Sequence, residues 1–117
     1  MNRVLAVAVA AAGSLLLVGC SSDEGGETVA ITASDTACDV AVTSLAKGSH
    51  TFEVENAGDV VTEVYVYAPG DKVVTEKENI GPGTRARFTA KLDPGTYEIA
   101  CKPGQKGSGI RQPLTVT

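Results

Sequence analysis

From residue 28 onward, apolar and polar positions alternate in short runs. Phe52 and Val54 fall on one side of an extended chain, with Thr51, Glu53 and Glu55 on the other. Ala86, Phe88, Ala90 and Leu92 alternate in the same way with Arg85, Arg87, Thr89 and Lys91. A period of two with one apolar face describes an antiparallel sheet that is wet on one side. Runs rich in Val, Thr, Ile and Tyr predict strands near 28–34, 40–45, 50–56, 61–68, 72–76, 84–92, 96–101 and 112–117. They are separated by turn-forming groups: Lys47-Gly48-Ser49, Asn56-Ala57-Gly58-Asp59, Pro69-Gly70-Asp71, Gly81-Pro82-Gly83 and Asp93-Pro94-Gly95. Beyond the N-terminus no segment has a helical period, and there is no internal repeat. The expectation is an all-β sandwich of two packed sheets. With two Phe, three Tyr and no Trp, its core is lean.

The N-terminus follows a different pattern. Met1-Asn2-Arg3 precedes an apolar run from Val4 to Val18, which ends in Gly19-Cys20. One positive charge, a short apolar stretch and small residues at its end make a secretory signal. The run is too short for a helix to cross about 30 Å of hydrocarbon. Leu17-Val18-Gly19-Cys20 also fits the lipobox of bacterial lipoproteins, in which the cysteine is acylated and becomes the mature N-terminus. A buried helix is the poorer reading, since nothing around it would pair with such a segment. Residues 21–27 (Ser-Ser-Asp-Glu-Gly-Gly-Glu) have no apolar side chain and read as a flexible tether. The expected organisation is therefore a signal peptide over 1–19, a lipidated cysteine and tether over 20–27, and one β domain over 28–117. The product would sit on the extracytoplasmic face of the cell membrane, held by lipid on Cys20.

Charge narrows the function. The chain has 10 basic and 14 acidic residues, and cleavage would remove only Arg3 from this balance. An acidic domain offers no basic face for nucleic acid. Enzymatic readings lack parts: no His stands near a Ser or Cys nucleophile, and no glycine-rich phosphate loop opens a helix. Gly81-Pro82-Gly83 is a turn. With Cys20 lipidated, Cys38 and Cys101 remain in an oxidising compartment, either paired with each other or free for a metal or redox task. His50, placed in a turn before a strand, reads as solvated. Glu76, Glu78 and Asn79 read as a strand end and turn, with room for a further carboxylate ligand.

The run Pro94-Gly95-Thr96-Tyr97-Glu98-Ile99-Ala100-Cys101-Lys102-Pro103-Gly104 is the most informative. In an immunoglobulin domain the cysteine follows the corner tyrosine by two residues and a Trp packs on its disulfide. Here the spacing is four and there is no Trp. The run resembles the penultimate strand of a cupredoxin, with Tyr97 as the corner tyrosine and Cys101 in the place of the copper thiolate. A blue-copper centre needs two His and a Cys, usually with a weak axial Met. Gly104 stands where its second His is expected, Ile110 lies near the place of its Met, and Glu63 takes the place of its first His. The resemblance therefore implies the scaffold without a blue-copper centre. Cys38, Glu63 and Cys101 become candidates for one end of the sandwich.

Further stretches are similar to the cupredoxin-like domain of the EfeO family, lipoprotein components of ferrous-iron uptake systems, in their actinobacterial form. They are Asp35 to Cys38, Gly48 to Asn56, Thr62 to Val66, Glu76 to Gly83, Gly95 to Gly104, and Gly109 to Arg111 with Thr115 to Thr117. The resemblance implies a cupredoxin-like Greek-key sandwich of about seven or eight strands. It also implies a metal site of Cys38, Glu63 and Cys101, with copper or iron as the bound ion and no enzymatic activity. Its implied partners are an iron permease and a haem peroxidase of the same system. Many members of that family continue into a helical imelysin-like domain. The sequence here ends at Thr117, so a stand-alone domain is the expectation. Two soft sulfurs favour Cu(I) or Zn, and the harder carboxylate oxygen admits iron. The rival expectation is a structural or adhesive surface module with a Cys38–Cys101 disulfide and no metal.

Overall fold

In a computed structural model, residues 28–117 are described. The expected signal peptide, lipidation site and tether lie outside them. The described residues form nine strands: β1 (Thr28–Ala33), β2 (Cys38–Val40), β3 (Ser44–Leu45), β4 (Gly48–Asn56), β5 (Thr62–Ala68), β6 (Lys72–Ile80), β7 (Arg85–Leu92), β8 (Gly95–Pro103) and β9 (Ile110–Val116). They pair as a four-stranded sheet, β2-β1-β4-β7, and a five-stranded sheet, β3-β9-β8-β5-β6.

Alternation sets which face each strand buries. In β4, His50, Phe52, Val54 and Asn56 point inward, while Glu53 and Glu55 point outward to meet Arg85 and Arg87 of β7. Phe52 and Phe88 pair across this ladder with ring centroids 5.1 Å apart and form the aromatic centre of the core. From the other sheet, Val64, Val66, Ile99 and Leu114 close on them. The corner tyrosine is present: the Tyr97 hydroxyl donates to the Asp93 carbonyl at 2.7 Å, four residues upstream.

The structure departs from the expected strands at one instructive place. The stretch anticipated as one strand over 40–45 is two. β2 pairs antiparallel with β1, and β3 pairs parallel with β9 in the other sheet. Between them, Ala41 N–H donates to the Ala30 carbonyl, and Thr43 accepts from Thr115 N–H, so the chain changes sheets within three residues. This crossing closes one side of the sandwich. It also brings Cys38 opposite Ala33, next to the end of β4 where Asn56 pairs with that same alanine. Strand β6 runs on to Ile80 rather than stopping near 76, so Glu76 and Glu78 belong to a strand.

Candidate functional site

Three elements set the geometry at the Asn56 end of the sandwich. Asn56, 1% exposed, donates from Nδ2 to the carbonyls of Val60 (2.8 Å) and Ile80 (2.9 Å). Its Oδ1 accepts from Gly58 N–H. One side chain thus joins the end of β4, the loop into β5 and the end of β6. Asp35 supports the same loop, its carboxylate accepting from Asp59 N–H at 3.0 Å. A side chain at Gly58 would overlap that carboxylate.

Cys38 and Cys101 are joined as a disulfide with Cα atoms 5.5 Å apart. Both are buried, and the bond ties β2 of one sheet to β8 of the other across the core. Disulfide sulfurs are neutral, whereas a metal ligand must be a thiolate. The two cysteines expected as ligands are therefore a covalent staple in this state. Glu63 does not join them. Val64 stands opposite Cys101 and Glu63 opposite Lys102 in the β5–β8 ladder. Directly opposed residues share a face and successive residues alternate, so Glu63 and Lys102 point away from the face that carries the disulfide. Among the described residues, no three His, Cys, Asp or Glu side chains stand ready to hold a metal ion. The expected convergence of Cys38, Glu63 and Cys101 is absent because strand parity separates the carboxylate from both sulfurs.

What surrounds Glu63 is a different constellation. The β5–β6 register slips between Thr62 and Val64, which pair with Ile80 and Lys77, so Glu63 lies at a bulge facing Glu78 and Asn79. Asn79 has a φ of 57°, and its N–H donates to Gln105 Oε1 at 2.7 Å, folding the loop after β8 back onto β6. Glu63 is 8% exposed as a residue; no hydrogen bond or ion pair among the described residues ends on its carboxylate, whose oxygens still reach water. Burial raises its pKa above the ordinary 4.5; Lys102 opposes the shift, and Glu78 and Glu76 add to it. Tyr65, opposite Glu76, has its phenol pKa raised by a hydrogen bond with that carboxylate and by burial.

Lys102 would be the natural partner for Glu63, but its ammonium is held elsewhere. It donates to Tyr67 Oη at 2.6 Å and lies 4.0 Å from the centroid of the Tyr65 ring. The two rings stack at 5.4 Å, and Arg111, paired with Asp71, covers Tyr67 from the far side at 4.4 Å. Such cation–π contacts are each worth about 0.5–1 kcal/mol or more. Glu63 keeps Lys102 as a nearby but unbonded cation, with Glu78 and Glu76 acting on it in the opposite sense.

Burial disfavours the charged form of Glu63 more than Lys102 favours it, so Glu63→Gln is expected to stabilise the metal-free protein slightly near neutral pH. The folded-state pKa lies above the unfolded one, so the unfolded chain loses this proton first as pH rises. The cost of Glu63 therefore grows from about pH 4.5 upward and vanishes below it. Denaturation curves of the two proteins should converge in acid and separate at neutral pH. A variant that is less stable at pH 7 would mean that the carboxylate has a partner.

His50 corrects another expectation. It lies inside β4, 6% exposed, with Nε2 2.7 Å from the Ala46 carbonyl and Nδ1 buried without a partner. It sits at the opposite end of β4 from Asn56 and is not available to the site. Its phase with Phe52 and Val54 was the signal that placed it inside.

A Greek-key sandwich with a corner tyrosine near the start of one strand, and a cysteine four residues on in the same strand, defines the cupredoxin class of β-sandwich. Residues 5–110 match the family described as Cupredoxin-like domain, and the chain belongs to it. It is 33% identical over 73 residues to the iron uptake system component EfeO of Escherichia coli O6:H1, and 36% identical over 73 residues to EfeO of Yersinia pseudotuberculosis serotype I. Each alignment covers 62% of this chain and 19% of the relative, so the chain spans about a fifth of the length of these relatives. Among solved structures it is similar to reduced auracyanin from Roseiflexus castenholzii, with a TM-score of 0.62 and 17% identity over 80% of this chain and 98% of that one. Rusticyanin from Thiobacillus ferrooxidans gives 0.58 and 16% over 80% and 79%. At these identities the likeness concerns the fold alone.

Proposed function

We propose that this protein is an exported, lipid-anchored domain that captures a transition metal ion as cargo, copper or iron, for an uptake or homeostasis system. The observation that carries this reading is the family match together with the similarity to an iron uptake component. Glu63, 8% exposed and with its pKa raised, is the side chain singled out as a ligand. The similarity to EfeO, an iron uptake system component, supports iron as cargo and, in general terms, a permease as partner; a haem peroxidase partner rests on the sequence resemblance alone. Cys38 and Cys101 would serve as thiolate ligands only in reduced protein, from the other face of the sheet. Titrating the purified domain with Fe(II) or Cu(I), in parent and Glu63→Gln proteins, tests the proposal. Saturable binding that weakens by about tenfold or more in the variant is the expected result.

The anchor is tested separately. Cys20→Ala is expected to release the protein from the membrane fraction or to leave it unprocessed, since an acyl chain supplies binding that tether residues 21–27 do not. A variant still processed and firmly bound would remove the lipobox reading.

The disulfide favours a second reading, a structural or adhesive surface module in which Cys38–Cys101 replaces a metal as the cross-link. Parent protein that binds neither ion, oxidised or reduced, would decide for it.

A further inference from the structure

We infer that the free edge of β7 is a docking site for an acidic, extended segment of a partner protein, which adds to the four-stranded sheet as a further strand. The site is independent of the metal-capture reading above.

The two sheets have four edges among the described residues, and three of them are closed to such pairing. β2 has three residues and β3 has two, too few to template another chain. β6 is long, but its register slips twice against β5. Its Lys77, opposite the buried Val64, also puts a charge in the phase of the buried face. Bulges and inward-phased charges are devices that stop an edge from recruiting strands. β7 has neither. It keeps register with β4 through successive pairs from Gly48–Leu92 to Glu55–Arg85, and it contains no proline. Beyond its ladder with β4, no backbone hydrogen bond among the described residues involves 85–92. A row of N–H and C=O groups is therefore left to water along a regular strand.

Side chains select what can pair there. The inward set of Ala86, Phe88, Ala90 and Leu92 is apolar, and Ala86 is only partly buried, so alternate apolar residues on an added strand would extend the core. The outward set is Arg85, Arg87, Thr89 and Lys91. In the two longest registers that keep the faces matched, a second copy pairing antiparallel through β7 sets Lys91 against Arg85 or Arg87. Like charges directly opposed disfavour that pairing, so a second copy is the wrong occupant. Acidic residues at alternate positions fit, and β4 shows the pattern. Its Glu53 and Glu55 meet Arg87 and Arg85 from the other side, yet the two arginine side chains stay 70% and 64% exposed. An acidic strand on the free edge completes rows of acid, base and acid across three strands.

The peptide Ser-His-Thr-Phe-Glu-Val-Glu-Asn repeats residues 49–56 and so carries the side chains that already suit β7. Labelled with a dye, it should bind the purified, disulfide-intact protein saturably, as read by anisotropy. Amide hydrogen exchange should slow within residues 85–92 and stay unchanged along β6. Gln at both peptide glutamates, or Arg85→Gln or Arg87→Gln in the protein, should weaken binding by on the order of two- to fivefold. Two further peptides, N-methylated at odd or at even positions, separate strand pairing from simple charge attraction. One should lose binding and the other keep it, because an added strand pairs through alternate N–H groups. Absence of saturable binding, binding without protection in 85–92, equal effects of the two methylated peptides, or equal affinity for a peptide with Lys at both glutamates would each overturn the proposal. So would a protein that dimerises alone with its β7 amides protected, since the edge then belongs to a second copy.

Discussion

Replacing Cys38 and Cys101 together by alanine is expected to lower the stability of the domain by about 4 kcal/mol. The bond closes a loop of sequence separation 63, and on a chain-entropy account a loop of that length restricts the unfolded ensemble by about that amount. For a domain of this size the loss corresponds to a fall in Tm on the order of 15–30 °C. The native state loses a specific contact as well. Strand β2 has three residues and pairs with β1 alone, so the disulfide is its direct covalent link to the five-stranded sheet. Chemical denaturation of oxidised, reduced and doubly substituted protein measures the effect, and the last two should agree. A change under about 1 kcal/mol would mean that the loop is already constrained in the unfolded chain.

This staple bears on the resemblance to copper proteins. Cys101 lies near the end of β8, the strand that carries the corner tyrosine Tyr97 near its start, and Gly104 and Ile110 lie beyond that strand. Gly104, with φ of 74°, donates its N–H to the Val61 carbonyl, and Ile110 pairs with Cys101 in the ladder. The backbone scaffold of a cupredoxin end is kept while the cysteine is cross-linked to Cys38. The disulfide holds the two sheets together at this end.

Most of the fold was legible in the sequence, and the parts that were not share one cause. Alternation in 50–56 and 84–92 predicted β4 and β7 with their buried faces, because the pleat acts within a single strand. His50 carried the same signal, two residues before Phe52, and its burial follows from it. The break within 40–45 was not legible, because β-branched residues there suit a strand in either sheet. What splits the run is its partners, β1 on one side and β9 on the other. The candidate site failed for a related reason. Cys38, Glu63 and Cys101 were expected to meet at one end of the sandwich. Whether Glu63 shares a face with Cys101 depends on the β5–β8 register, a tertiary quantity. A shift of one residue in pairing reverses the answer. The carboxylates of β6 were visible as residues, but the bulge that sets Glu63 against Glu78 was not.

Asn56→Ala is expected to be the most damaging single polar substitution at this end, at about 3 kcal/mol or more. The side chain makes three hydrogen bonds from a buried position, and its loss leaves the carbonyls of Val60 and Ile80 and the N–H of Gly58 unpaired. Each buried polar group stranded in this way costs about 1–3 kcal/mol, reduced where water enters the gap. The chemistry of the amide makes a sharper test than the alanine. Asn56→Asp keeps nearly the same shape and the acceptor for Gly58, but it replaces a donor to two carbonyls with a negative oxygen facing them. Aspartate should therefore be worse than alanine at neutral pH and recover in part on acidification, as the carboxyl regains a proton to donate. The cause is electrostatic, so the order cannot come from volume, which favours Asp. Urea denaturation of the three proteins at pH 5 and pH 7 reads the order directly. Aspartate tolerated as well as asparagine would mean that the two carbonyls find water instead, and that the loop into Glu63 is held by the Asp35–Asp59 bond and the backbone bonds of Ala57 and Val61.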